Sequence, residues 1–462
     1  MRELKSIDNR KRVSKDKLDN YIKILKEMLD CRTVFKRDHS NDEEFNKFNE
    51  VIKRNFPLIN ERCEKLVFGS GCFIYLLKGK NAKKNIMLMS HHDVVDKTDG
   101  WETDAFKSVI KNKALYGRGS IDTKTPLFAE MMAIEELIAE GYEFEDLNIY
   151  IGSSNNEEVC GDGMVLVSKY FKENNIHIDT IIDEGGAITS GMMPGFDGKS
   201  AMVAVHEKSR HMYKCETNIN TKGHGGLSPD DDSCILRLNK FMMEVMDSHI
   251  YKDTFYDEVK ATFKTHAPYM KFPMSFLFKH LEFFSPIIKK VMKNIPPARA
   301  MLSTSISFTT MFAGTKEDPQ IKAKHAESTM FIRCIREEDM EIGLNKIKEI
   351  ANKYGVSISL MERDYCKPSS FDSDAYHILE EVMHNNFPDV VVAPFLLTAG
   401  TDARRFSDVA DNILRFAPID LDPVQFKSIH GDNEHIYLEN VGECVCFYKD
   451  FILKMGGKYE QS

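Results

Sequence analysis

Residues 87–101 read MLMSHHDVVDKTDGW, and this stretch indicates both the fold class and where a site would lie. An apolar run ends here on two adjacent histidines and an aspartate. Side chains alternate between the two faces of a β-strand, so His91 and Asp93 can face one point while His92 turns away. A strand that ends in such residues is typical of the ligand-binding edge of an α/β sheet.

Two later apolar runs end in the same way. Residues 147–154 (LNIYIGSS) stop before the sequence NNEE, and residues 178–183 (IDTIID) stop at Glu184. Residues 125–141, which precede the first of these runs, have apolar side chains at helical spacing and end on a glycine. Strands that alternate with helices predict an α/β fold with a largely parallel sheet.

The pattern changes near residue 205 and returns near residue 366. The intervening strands are predicted at 211–219, 328–335 and 356–363, and the helices at 231–248 and 338–355. This order is typical of a split β-α-β unit, a ferredoxin-like α+β module. We therefore predict a catalytic domain built from residues 1–205 and 366–462, interrupted by an inserted lid domain of residues 206–365.

Residues 272–300 form a segment of the lid that is rich in Phe, Met and Lys. Lysines interrupt its apolar run too often for a membrane span. Its amphipathic mixture leaves two interpretations, lid core or dimer contact on one side and a membrane or partner helix on the other. We favour the first and expect no membrane partner.

The composition is that of a globular protein, because 42% of the 462 residues are hydrophobic and 29% are charged. A formal charge of −9 argues against binding to nucleic-acid backbones. The ten cysteines include no CxxC pair, and the charged first twenty residues contain no apolar run of the kind that a secretory signal needs. We therefore expect a cytoplasmic protein.

Polar residues recur at strand ends or in glycine-containing loops, and they are His91, Asp93, Asp122, Glu157, Glu158, Glu184 and His430. Clustered carboxylates repel one another unless cations lie between them. Two divalent ions about 3.5–4 Å apart, sharing one carboxylate, would suit this set. Nitrogen and oxygen ligands without thiolates favour Zn²⁺, with Co²⁺ or Mn²⁺ as substitutes. One of the adjacent glutamates could bind metal while the other takes a proton from water.

Seven motifs in order carry a family resemblance: SHHDVV, LYGRGSIDTK, NNEEVCGDG, IIDEGG, GHGGLSP, AGTDARRF and IHGDNEHI. Together they resemble the zinc metallopeptidase family that includes aminoacylase, acetylornithine deacetylase, succinyl-diaminopimelate desuccinylase and carboxypeptidase S. The enlarged segment at about 250–300 and the sequence DEGG are most similar to the carboxypeptidase S branch. The resemblance implies a di-zinc catalytic domain with an inserted lid that forms a homodimer.

Carried over by position, the resemblance implies one metal on His91 and Glu184, a second on Glu158 and His430, and Asp122 between them. Asp93 would orient His91, and Glu157 would be the general base. Asp183 remains the alternative to Glu184, because either carboxylate is a suitable ligand.

The resemblance also implies residues that contact substrate. His224 would stabilise the developing oxyanion, Arg333 would bind a substrate carboxylate, and Thr401 and Arg404 would face the cleft. The implied reaction is hydrolysis of an amide bond next to a free carboxylate, in a dipeptide or an N-acyl amino acid.

Two other functions remain open at this stage. A non-catalytic peptide or amino-acid binding protein could keep the fold, although its mark would be a lost ligand or base, and none is lost. Two-metal sites also hydrolyse phosphate esters, but the motifs resemble those of amide hydrolases.

Overall fold

The computed structural model describes residues 2, 4–191, 193–220, 232–317 and 319–457. Its strands before the small sheet are β1 (Glu64–Phe68), β2 (Cys72–Leu77), β3 (Lys84–Met89), β4 (Val109–Lys111), β5 (Ala114–Tyr116), β6 (Leu147–Ser153), β7 (Ile178–Asp183), β8 (Ile188–Ser190) and β9 (Lys199–Glu207). Those that follow are β10 (Ser209–Asn218), β11 (Ser305–Ala313), β12 (His325–Cys334), β13 (Ser357–Asp364), β14 (Val390–Leu397), β15 (Ala410–Arg415), β16 (Asp420–Leu421) and β17 (His435–Tyr437).

Helices surround and connect these strands. The first set is α1 (Lys15–Leu29), α2 (Asp42–Asn55), α3 (Pro57–Arg62), α4 (Lys124–Ala139), α5 (Gly163–Glu173), α6 (Cys234–Asp247) and α7 (Asp257–His266). The second set is α8 (Met274–Lys279), α9 (Leu281–Met292), α10 (Pro296–Ala300), α11 (Glu337–Tyr354), α12 (Asp374–Asn386), α13 (Pro423–Ser428) and α14 (Leu438–Met455). Within the described ranges, no helix combines the length and the apolar character that a bilayer span requires.

The large sheet has the strand order β1-β2-β6-β3-β7-β15-β9-β8-β16, with β14 beside β9. Its centre, β6-β3-β7-β15, is parallel, whereas β1 and β2 pair antiparallel at one edge. The central strands are buried along most of their length because α1, α4, α12 and α14 cover one face and α5 covers the other. The predicted parallel sheet is therefore confirmed for the centre, and the antiparallel strands lie outside it.

The small sheet is antiparallel and has the order β11-β12-β10-β13. With α6 and α11 packed against it, this is the ferredoxin-like arrangement that the sequence predicts. Sequence reasoning left β11 unassigned. The reason is physical: β11 is an edge strand whose side chains are mostly exposed, so its sequence lacks the alternating pattern of a half-buried strand.

The chain changes from one sheet to the other within a single residue, Lys208, between β9 and β10. The Lys208 ammonium is buried and donates to the carbonyl oxygens of Ala300 (3.0 Å) and Ser303 (2.8 Å). Burial and the nearby Arg333 lower the pKa of Lys208 to about 8. The predicted limit at 205/206 lies close to Lys208, and the predicted limit at 365/366 lies close to the end of β13. The division of the chain into two domains at these limits remains a prediction.

The N-terminal segment is tied to the large domain by one arginine. The Arg10 guanidinium is buried and contacts Asp389 (2.7 Å), Asp420 (2.8 Å) and Glu443 (3.2 Å). These carboxylates come from the loop before β14, from β16 and from α14. Arg10 therefore places one positive charge next to carboxylates from three different parts of the large domain.

We predict that Arg10→Ala lowers the stability of the protein by about 3–5 kcal/mol, because it removes the guanidinium that pairs with Asp389 and one of the cations beside Asp420 and Glu443. Arg12→Ala is the matched control. Arg12 is half-exposed, pairs with the exposed Glu439 and lies 3.9 Å from Glu443, so its loss should cost less than about 1 kcal/mol. Thermal and urea unfolding midpoints measure both effects, and equal midpoints for the two variants would contradict the assignment.

Candidate metal centre

Three neighbouring parallel strands end at the same edge of the large sheet, and each leads directly into a polar residue of the predicted site. His91 follows β3, Glu157 and Glu158 follow β6, and Glu184 follows β7. Because β6, β3 and β7 are adjacent and parallel, their carboxyl ends bring these side chains together.

Asp122 lies between the two histidines. Its Oδ1 is 2.8 Å from Nε2 of His91, and its Oδ2 is 3.0 Å from Nε2 of His430. Each histidine also meets a second carboxylate: Glu184 at 3.4 Å from His91, and Glu158 at 3.0 Å from His430. One carboxylate thus presents a separate oxygen to each of two histidine-carboxylate pairs, which is the arrangement that two bridged metal ions need.

Burial and charge make this cluster unfavourable by itself. Burial and the Asp122 carboxylate raise the pKa of Glu184 to about 8. Hydrogen bonds to Asp122 and Glu158 raise the pKa of His430 to about 10. Against the opposing effect of burial, the same histidine contacts hold the pKa of Asp122 well below its usual range. Cations would relieve the repulsion among the carboxylates, so the donor set fits divalent metals.

The structure brings Glu184, and not Asp183, to His91. The Asp183 side chain is buried and accepts the backbone N–H of Ala403 (2.9 Å). Burial raises the pKa of Asp183 to about 7. The geometry therefore favours Glu184 as the ligand.

The His91–Asp93 contact differs in detail from the prediction. Nδ1 of His91 donates to the backbone carbonyl of Asp93 (2.8 Å), and the Asp93 carboxylate is farther away, at 3.5 Å. That carboxylate instead accepts the backbone N–H groups of Glu157 (3.1 Å) and Glu158 (3.0 Å). Asp93 therefore orients the histidine through its main chain and holds the glutamate loop through its side chain.

His92 turns away from the cluster, as strand alternation predicts. Its ring stacks on Phe48 and Phe73, with centroids 5.0 and 5.2 Å away, and its Nδ1 lies 2.8 Å from Oγ of Ser153. His92 is thus a packed and hydrogen-bonded side chain.

Glu157 belongs to the cluster but lies farther from a histidine than Glu158, which is 3.0 Å from His430. An oxygen of Glu157 lies within 4.8 Å of potential ligand atoms of His91 and Glu184. Burial and the charge of Glu184 raise the pKa of Glu157 well above its usual range. A carboxylate with a raised pKa next to a metal pair is well placed to exchange a proton.

Arg333, Thr401 and Arg404, which are predicted to contact substrate, already contact other protein groups in the structure. Thr401 is buried, and its N–H and hydroxyl both donate to Glu207, at 3.1 and 2.9 Å. Arg404 is buried in ion pairs with Asp364 and Glu207. Arg333 donates to the carbonyl oxygen of Thr398 (3.3 Å). In this structure Thr401 and Arg404 therefore belong to a buried network of hydrogen bonds and ion pairs around Glu207.

The Arg333 and Arg404 guanidiniums both approach Gly400. A Cβ atom at that position would lie 2.1 Å from Arg404 and 3.6 Å from Arg333, so a larger residue there would require the Arg404 guanidinium to move. His224 lies outside the described residues.

Sequence reasoning missed Glu434, which supports the Asp122 loop. Its carboxylate is buried and accepts the N–H groups of Gly119 (3.1 Å), Ile121 (2.7 Å) and Asp122 (3.2 Å), while Arg118 donates to it at 2.8 Å. The sequence feature that could have indicated Glu434 is its position four residues after His430, because a motif that supplies a metal ligand can also supply a residue that holds a neighbouring loop.

We predict that Glu434→Gln destabilises the protein by about 2–4 kcal/mol, because an amide group would face N–H donors and Arg118 would lose its counter-charge. Thermal unfolding measures the loss, and zinc titration should show weaker binding because the Asp122 loop is no longer fixed. Asp432→Asn in the same loop is the control. Asp432 is exposed and should change the midpoint little. An unchanged midpoint for Glu434→Gln would contradict the supporting role.

Comparison with known proteins supports the same fold. The chain is 29% identical over 439 residues to "Probable carboxypeptidase S-like 1" of Dictyostelium discoideum, covering 93% of this chain and 85% of that protein. It is 27% identical over 444 residues to N-fatty-acyl-amino acid synthase/hydrolase PM20D1 of Mus musculus, covering 93% and 86%. The M20 family metallo-carboxypeptidase Sso-CP2 of Sulfolobus solfataricus superposes with a TM-score of 0.65 at 17% identity, covering 95% of this chain and 99% of that one.

The family resemblance read from the seven motifs is confirmed by a family model. The model described as Peptidase family M20/M25/M40 matches residues 87–454, which include every predicted metal ligand. The chain belongs to peptidase family M20/M25/M40.

Proposed function

We propose that this protein is a di-metal amidohydrolase that cleaves an amide bond next to a free carboxylate, in dipeptides or N-acyl amino acids. The observation that carries the proposal is the position of Asp122, whose two oxygens face His91 and His430 separately. A carboxylate that bridges two metal ions is typical of hydrolytic two-metal sites.

The proposed ligands are His91 and Glu184 for one ion and Glu158 and His430 for the other, with Asp122 shared. Zn²⁺ is the proposed metal, because the donors are imidazole nitrogens and carboxylate oxygens, and Co²⁺ or Mn²⁺ could replace it. When bound, such ions polarise a carbonyl group and lower the pKa of water.

Glu157 would perform the proton transfers. It would take a proton from the attacking water and later donate one to the leaving amine. Its position suits both steps, because a Glu157 oxygen lies within 4.8 Å of potential ligand atoms of His91 and Glu184. Asp93 would keep Glu157 in place through the backbone N–H bond described above.

Arg333 is the proposed group for the substrate carboxylate, since a guanidinium can bind a carboxylate through two parallel hydrogen bonds. Thr401 and Arg404 would support this position from the buried network beside it. His224 is proposed to stabilise the oxyanion. The two sequence relatives, one named for a carboxypeptidase and one for fatty-acyl amino acids, support keeping both substrate classes.

Three further features belong to the proposal. The lid, residues 206–365, is proposed to form a homodimer, supported by the exposed edge strand β11. The catalytic domain is proposed to comprise residues 1–205 and 366–462. A cytoplasmic location is supported by the ten cysteines, none of which forms a disulfide within the chain.

The experiment is hydrolysis of a panel of dipeptides and N-acyl amino acids by the purified protein, before and after chelation and with zinc added back. We expect turnover that chelation abolishes and zinc restores. The preferred members of the panel separate a peptidase from a deacylase. Zinc binding without cleavage of any panel member would contradict the proposed substrate classes.

In the same assay, Glu157→Gln should lower kcat by about 10²–10⁴-fold, because general acid and base catalysis is lost. Its metal content, measured by elemental analysis, should stay at the wild-type value. Glu173→Gln, an exposed change on α5, is the matched control and should behave like wild type. A Glu157→Gln enzyme with full activity would exclude Glu157 as the base.

A further inference from the structure

Helices α8 and α9 belong to the segment predicted as the lid. One face packs on a cluster that includes Val391 and Leu396 of β14, in the large sheet, and another face is apolar yet exposed. Phe278, Leu281, Ile288 and Met292 are buried in the hydrophobic cluster beneath them. On the opposite side of α9, Phe283, Ile287 and Val291 are 81%, 62% and 57% exposed. Their spacing of four residues places them in one row along the helix.

Aromatic contacts extend this row to α8. Phe284 lies 4.9 Å from Phe283 and 5.8 Å from Phe276, centroid to centroid, and Phe276 is itself half-exposed. We call Phe276, Phe283, Ile287 and Val291 the outer stripe. Contiguous exposed apolar surface of this kind marks an interaction site more often than single exposed residues do.

The segment that contains the outer stripe is positively charged, whereas the chain as a whole is negatively charged. Residues 271–300 contain five lysines and one arginine against one acidic residue, a formal charge of +5, whereas the whole chain carries −9. Lys279 and Lys290 are exposed, whereas Lys271 and Lys293 pair with Asp197 and Asp253. The acidic residue, Glu282, pairs with Lys264.

We propose that the outer stripe docks on an anionic lipid surface, with the apolar side chains entering the headgroup boundary and the lysines contacting phosphate groups. Helices that lie in a membrane interface combine an apolar face with lysines in this way. A two-fold contact between copies would bring the same positive surface against itself, which is unfavourable. This proposal departs from the sequence-based expectation of no membrane partner.

The test uses the full-length protein and flotation with vesicles of phosphatidylcholine, with and without phosphatidylserine. We expect binding to the anionic vesicles that weakens as salt increases, because the lysine contacts are screened. Phe283→Ser/Ile287→Ser/Val291→Ser should lower binding by about tenfold or more. The control, Ile342→Ser/Leu360→Ser/Met361→Ser, removes equally exposed apolar groups elsewhere on the lid and should leave binding unchanged.

Two further variants keep the proposal testable if the triple variant does not fold. Lys279→Glu/Lys290→Glu changes only exposed charges and should lower binding by about tenfold or more. Phe283→Trp should show a blue-shifted emission that brominated lipids quench, with the wild-type protein and its single Trp101 as the reference. Absence of wild-type binding, binding unaffected by the lysine changes, or a triple variant that converts a dimer to a monomer without lipid would overturn the proposal.

Discussion

The candidate site depends on the electrostatic repulsion among carboxylates that the fold brings to one sheet edge. Asp122, Glu157, Glu158 and Glu184 lie around two histidines in a largely buried position. Such a group keeps all its carboxylates ionised only where positive charge lies between them. Asp122 contacts His91 through one oxygen and His430 through the other, so the two positions proposed for that charge lie on either side of one carboxylate.

The fold meets this constraint with rigid supports around the cluster. The adjacent parallel strands β3, β6 and β7 supply ligands at their ends. The Asp93 carboxylate, which follows β3, accepts two backbone N–H groups from the loop after β6 and so ties that loop to β3. Glu434 fixes the Asp122 loop from the other side. Ligands held in this way lose little freedom when a metal binds, which favours affinity and a defined geometry.

Much of the site could be predicted from the sequence because each ligand follows an apolar strand or lies in a short polar motif. The parallel centre of the large sheet, and the strands β10, β12 and β13 of the small sheet with helices α6 and α11, were predictable from their hydrophobic patterns. Strand β11 was not, because an exposed edge strand has little hydrophobic patterning. Glu434 was missed because its place in the same motif as His430 does not show which backbone N–H groups its carboxylate accepts. The side of α9 that stays exposed depends on tertiary packing that the amphipathic sequence does not determine.

Anomalous diffraction at the zinc absorption edge, from crystals grown with Zn²⁺, tests the central claim most directly. The account predicts two peaks about 3.5–4 Å apart. One Asp122 oxygen should lie on each ion, with His91 and Glu184 on the first and Glu158 and His430 on the second. A single peak, a ligand shell that contains Asp183 in place of Glu184, or an Asp122 bound to only one ion would contradict it.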